Sequence, residues 1–137
     1  MDKSKQPRIN FDAIILAEEN FKRDKRLPKD TETKLNFSSG NNINGNKASV
    51  EIAFNLELIK DNKKYMELYA KFVGLFSAKE EKNMDLEDFV NLHALALMFP
   101  YIREHITNIT SKAGIKPILL PPINIAAMLK NQNEEVV

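Results

Sequence analysis

The stretch from Val50 to Phe76 constrains the fold most. Val50, Ile52, Phe54, Leu56 and Leu58 alternate with mostly polar neighbours, and Met66, Leu68, Ala70, Phe72, Gly74 and Phe76 repeat the pattern. Apolar residues at period two fall on one face of a strand. Asp61-Asn62, between the two runs, suits a two-residue turn that needs positive φ, so the runs are expected to form a hairpin. A hairpin with one apolar face is not stable alone in water, and the rest of the chain must supply further strands and a cover.

Upstream, Ile9, Phe11, Ala13 and Ile15 are expected on one face of a first strand, while Ile14 and Leu16 make its other face partly apolar. A strand with two sticky faces calls for neighbours on both. Thr31, Thr33, Leu35 and Phe37 alternate with Glu32, Lys34 and Asn36, predicting a second strand that ends at the turn-rich segment SSGNNINGNK. After Lys79 the period changes. Leu86, Phe89, Val90, His93, Ala96 and Leu97 recur at helical spacing behind Asp85, the expected N-cap. From Leu92 to Phe99 the chain is nearly apolar all round, which in so small a domain implies burial against more than its own sheet, most simply a second copy. Pro100 is expected to open a new helical segment carrying Ile102, Ile106 and Ile109, stopped by Gly114. Pro117, Pro121 and Pro122 should then hold the chain extended before a short helix over about residues 125–130. Four strands followed by helices, in blocks, predict an α+β fold with an antiparallel sheet covered on one face. One domain over residues 9–130 is expected, with flexible ends at 1–8 and 131–137.

Composition narrows the chemistry. With 43% hydrophobic and 28% charged residues and a net charge of +1, the chain has no basic stripe of the kind that neutralises nucleic-acid phosphates, so no nucleic-acid partner is expected. Its densest basic cluster, Lys22-Arg23-Asp24-Lys25-Arg26, reads as a solvated loop. No apolar run is long enough to cross a bilayer, and the first ten residues lack the apolar core of a signal peptide, so a cytoplasmic location is expected. Cysteine is absent, there is no G-x-S-x-G elbow, and the scattered glycines build no phosphate cradle. His93 and His105 lack the spacing of a metal site; His93 is expected as a hydrogen-bonded core residue and His105 as amphipathic filler. The acids from Glu80 to Asp88 suit a helix start. No enzyme, metal or cofactor is expected. A small-ligand-binding α+β domain would need converging polar groups, for which there are few candidates.

Phe99-Pro100-Tyr101-Ile102-Arg103-Glu104 and, further on, Leu120-Pro121-Pro122-Ile123-Asn124-Ile125-Ala126-Ala127-Met128-Leu129 resemble the two signature segments of the SecB export-chaperone family. Gly74-Leu75-Phe76-Ser77 is similar to that family's fourth-strand end, and Phe21 to the phenylalanine closing its first strand. The resemblance implies a four-stranded antiparallel sheet with a long C-terminal helix packed on one face, dimers, a tetramer with helices sandwiched between sheets, and grooves that hold unfolded polypeptides or preproteins without ATP. It places the loop from Phe21 to Lys34, the FPY turn and the segment ILLPPI beside the groove, with Phe21, Leu27, Leu35, Phe37, Phe76, Tyr101 and Leu119 as client contacts. Export-type members dock the SecA motor through acids; here Glu18 keeps one such position, while Lys22 and Tyr69 stand where acids are expected. SecB-like proteins also serve toxin–antitoxin systems by protecting an antitoxin, the alternative role the resemblance allows.

Overall fold

The computed structural model describes residues 9–79, 85–116, 118 and 120. Four antiparallel strands, β1 (Ile9–Arg23), β2 (Glu32–Asn44), β3 (Lys47–Lys60) and β4 (Lys63–Ala78), form one sheet in the order β1-β4-β3-β2. A helical unit follows: α1 (Asp85–Phe89), a π-helical stretch (Val90–Ala94) and α2 (Leu95–Lys112). The fold expected from the alternation and the change of period is the one observed.

The central hairpin is the core's foundation. Asp61 and Asn62 both take positive φ, 52° and 63°, as a two-residue turn of this hand requires. The alternating residues Val50 to Leu58 on β3 and Met66 to Phe76 on β4 are buried as a set under the helix. Each of the large apolar side chains in this set contributes roughly 1.5–3 kcal/mol by leaving water. Gly74 leaves room for the helix, since a Cβ there would stand 2.7 Å from Met98 Sδ.

The edge strands depart from the expected pattern. β2 does not end at SSGNN but runs to Asn44, paired residue for residue with β3 from Glu32↔Ile59 to Asn44↔Lys47. The turn is confined to Gly45 and Asn46, with Gly45 at φ 63°. On β1, the register with β4 skips Asp12 and Ala17. Each skipped residue is a bulge that moves later side chains to the other face. The helix-facing set is therefore Ile9, Phe11, Ile14, Leu16, Glu19, Phe21 and Arg23, correcting the expected grouping of Ala13 and Ile15 with Phe11.

The helix is also phased differently. The buried stripe runs Leu86, Val90, Ala94, Met98, Ile102, Ile106, Thr110, each four residues after the last, with Phe99 beside it. Ala96, Leu97 and His93, expected on this face, are exposed. At 3.6 residues per turn a four-residue step overshoots a full revolution by about 40°. The wider π turn brings that step nearer to closure and keeps Leu86 and Val90 over the sheet. Pro100 lies inside α2 and does not begin a new segment. The carbonyl it leaves unbonded belongs to Ala96, and both residues lie on the exposed side, where water can satisfy it.

Gly114 ends the helix as expected. Its φ is 70°, its N–H donates to Ser111 O at 3.1 Å, and Ile115 N–H donates to Thr110 O at 2.9 Å, the paired bonds of a Schellman turn. The short helix expected near residues 125–130, the second signature segment beyond Leu120 and both ends of the chain lie outside the described residues.

Candidate functional site

The helix divides the covered side of the sheet into two flanks. On the β2 flank, Phe99 meets Phe37 edge-on at 6.3 Å, and Phe37 tilts against Phe54 at 6.3 Å. On the β1 flank, Phe11 stacks on Phe76 at 4.8 Å, and Tyr101 stands edge-on to Phe11 at 6.0 Å. Phe76 also meets Phe89 at 5.7 Å.

These contacts sort the sequence-expected residues. Phe76 is 1% exposed and Phe37 5%, so both belong to the core of the folded chain. Phe21, Leu27 and Leu35 are half-buried and packed against that core. Tyr101 is 48% exposed. Leu119 lies outside the described residues. The structure thus joins Phe76 to Tyr101 through Phe11 and sets Phe37 on the opposite flank. The residues not expected from sequence are Leu16 and Leu97, both on the helix side and exposed, and Ile15, exposed on the other face. Leu16, Leu97, Tyr101 and the half-buried Phe11 leave apolar surface in water along the β1 side. The run Ile14-Ile15-Leu16, apolar on both faces, was the signal for it.

His105 fastens the middle of this flank. Its Nε2 lies 2.8 Å from Glu19 Oε1 and its ring packs edge-on against Phe72 at 5.3 Å, so it is a tie between α2 and β1 and not filler. His93 is exposed, tilted against Phe89 at 5.6 Å, and not the core histidine expected.

Arg23 corrects the reading of the basic cluster as wholly solvated. Its guanidinium donates to the carbonyls of Asp24 at 2.9 Å, Lys25 at 3.1 Å and Ala113. A cation on helix-terminal carbonyls suits the negative end of the helix dipole. This bond ties the connection between β1 and β2 (residues 24–31) to the end of α2. Asp24 N–H donates to Tyr65 O at 2.9 Å, Asp24 pairs with Lys63 at 3.5 Å, and Lys60 Nζ donates to Lys29 O at 3.1 Å, so the connection is held along its length.

The face of the sheet away from the described helix carries ion pairs, beside apolar surface around Ile15, Val73 and Leu75. Glu18 lies 3.5 Å from Lys71, whose pKa is raised chiefly by that carboxylate and next by Glu51. Buried Glu57 lies 2.8 Å from Lys64, the one described partner of its Oε2, and Lys64 also meets Glu67 at 3.2 Å. The hydrogen bonds that Lys64 donates to Glu57 and then to Glu67 raise its pKa. Lys22 is exposed across from Glu67, and Tyr69 is half-buried.

Along the outer side of α2 runs an open cleft of about 560 Å³ bounded by Pro100, Thr107, Lys112 and Leu120. Among the described residues, no cluster of histidine, aspartate and glutamate could hold a metal, and no helix is long and apolar enough to cross a membrane.

Comparison with known proteins agrees with this geometry. The family model described as preprotein translocase subunit SecB matches residues 7–136. The protein-export protein SecB of Anaplasma phagocytophilum is 29% identical over 89 residues, 63% of this chain and 56% of that protein. Its counterpart in Rickettsia massiliae is 30% identical over 90 residues, 62% of this chain and 57% of the other. An uncharacterized protein of Methanocaldococcus jannaschii is 41% identical over 61 residues, 44% of this chain and 39% of that one. The matches thus span roughly half the length of these curated relatives or less. Among solved structures, the SecB-like chaperone of Mycobacterium tuberculosis in complex with a ChAD peptide from the HigA1 antitoxin superposes with a TM-score of 0.70 at 18% identity, over 85% of this chain and 88% of the other. That likeness is one of fold.

Proposed function

The chain belongs to the SecB family, and from that premise we propose that it is an ATP-independent holdase, a non-catalytic chaperone that binds unfolded polypeptides. The observation that carries this reading is the apolar surface left in water beside the helix, where Leu16, Leu97 and Tyr101 are 40%, 42% and 48% exposed next to Phe11. Exposed apolar surface of this kind marks an interaction site, and the two sheet edges, β1 and β2, unpaired among the described residues, offer backbone groups to an extended chain. Half-buried Phe21, Leu27 and Leu35 are candidate client contacts on the same face of the sheet, with Phe37 and Phe76 beneath. Part of the β1 flank is reserved for self-association, which gives a dimer or a tetramer.

The test is light scattering from a chemically denatured client refolding in the absence of ATP. Scattering should fall at near-stoichiometric chaperone, and Tyr101→Asp should weaken the effect. Unchanged scattering at excess wild-type protein would rule out general client holding. In that event a second reading gains, that of a dedicated chaperone for one antitoxin, favoured by the fold shared with the antitoxin-peptide complex. For an export role the SecA motor would be the next partner. The uncovered face supports only weak acidic docking there, because Glu18 is neutralised by Lys71 and is joined by Lys22 and Tyr69.

A further inference from the structure

The fold gathers basic residues at one end of the molecule. The β1–β2 connection carries Lys25, Arg26 and Lys29, and the end of α2 carries Lys112 and Lys116; all are exposed and none has an ion pair among the described residues. Separated by some 80 residues of sequence, these groups are brought together by the bond from Arg23 to Ala113 O. Counter-charge is outnumbered there, with exposed Glu32 and Asp61 at the same end of the sheet. Of the two acids in the connection, Asp24 is taken by Lys63, leaving Asp30, and the chain has no acid from His105 to Leu120. The helix dipole accounts for Lys112 alone, since the others lie outside the helix.

Apolar surface interleaves with this charge. Leu27 and Pro28 sit half-buried between Arg26 and Lys29, half-buried Leu120 follows Lys116, and Lys112 stands at one end of the open cleft along α2. Four of the five cations are exposed on short segments outside the regular elements, and long basic side chains of this kind can lay their stems along apolar surface while their heads stay in water.

We infer that this end selects its clients, and that the unfolded segments the chain holds best are apolar stretches carrying aspartate or glutamate. The inference rests on the holdase reading and adds the class of segment. Unpaired cations beside a hydrophobic surface speed the encounter with acidic chains and disfavour basic ones, and do so less as salt screens them. Arg23 acts as a positioning residue, holding the two basic segments side by side.

The experiment is fluorescence anisotropy with three unstructured peptides that share one leucine- and phenylalanine-rich centre and differ in their flanks: aspartate and glutamate, lysine, or serine. The acid-flanked peptide should bind the wild-type chain roughly tenfold more tightly than the lysine-flanked one at low salt, with the gap closing at high salt. Arg26→Glu combined with Lys116→Glu should level the ranking, and should that pair fail to fold, Arg26→Gln with Lys116→Gln should narrow the gap between the acid- and lysine-flanked peptides; an unchanged gap in either sinks the inference. Binding of the serine-flanked peptide without any acid preference sinks the inference and leaves the holdase reading standing. Binding of none of the three sinks the holdase reading and the inference with it. A polyuridylate of matched charge that binds more tightly than the acid-flanked peptide would overturn the inference in favour of nucleic acid.

Discussion

Ile102 and Leu97 sit on the same helix but in opposite surroundings. Ile102 is fully buried against the sheet, whereas Leu97 is 42% exposed. Truncating the first removes transfer energy and leaves a cavity, so Ile102→Ala should cost about 2–5 kcal/mol. Leu97→Ala should stay within about 0.5 kcal/mol in the isolated chain, as surface substitutions do. Urea unfolding at a concentration low enough to separate copies checks both. Sedimentation at micromolar concentration supplies the counterpart: the wild type should exceed its 15.7 kDa monomer mass, and Leu97→Asp should shift it toward that mass. A monomeric wild type would show that the exposed flank serves only clients. Such distinctions were beyond the sequence, in which Leu97 and Met98 are equally apolar neighbours. A rotation of about 100° between successive residues put one in water and one in the core.

At the scale of elements, legibility followed how much of an element's pattern its own residues dictate. β3, β4 and their Asp61-Asn62 turn were legible because alternation, burial and turn chemistry agree. β2 was not, since Ser38-Ser39-Gly40-Asn41-Asn42 favours turns and is drawn into a strand by pairing with Ala53 through Ser49 of β3, information that lies on another strand. β1's two bulges and the π turn are single-residue offsets with no local signature. Pro100 suggested a break because its lost bond was weighed without knowing that Ala96 faces water. Of the site, Phe21, Leu27, Leu35 and Tyr101 were found on surface or half-buried positions, while Arg23 and His105 were missed because their partners, Ala113 and Glu19, lie on distant segments. The helix stop was legible and can be tested. Gly114 adopts a left-handed φ with only Arg23 Nη1 near its absent Cβ, at 3.8 Å, so the strain of Gly114→Ala is conformational. It should cost about 1–2 kcal/mol and speed amide exchange at Ile115, whose N–H closes the turn. Unchanged exchange would mean the turn does not depend on glycine.

For the whole molecule, the near balance of 20 basic and 19 acidic residues conceals a polar distribution. Cations collect around the β1–β2 connection and the end of α2, and the uncovered sheet face is laced with ion pairs. A motor that docks through charge would meet little net acid there. Lys22→Glu with Tyr69→Glu should tighten binding to the SecA protein of the same organism and steepen its dependence on salt. If the wild type already binds tightly with a steep salt dependence, its uncovered face is an ordinary export-type docking surface.

A single sheet whose two edges are unpaired among the described residues carries a hazard of runaway growth. If β1 of one molecule could zip onto β2 of the next, nothing would close the chain of copies, and an endless ribbon would form. The residues skipped at Asp12 and Ala17 bend β1, while β2 pairs with β3 without interruption. A crooked edge does not mate along its length with a straight one, but two crooked edges related by a twofold axis share their bends. The bulges thus act as a keyed rim. They disfavour endless edge-to-edge pairing, which is what a protein that leaves Leu16, Leu97 and Tyr101 in water needs if it is not to become an aggregate itself.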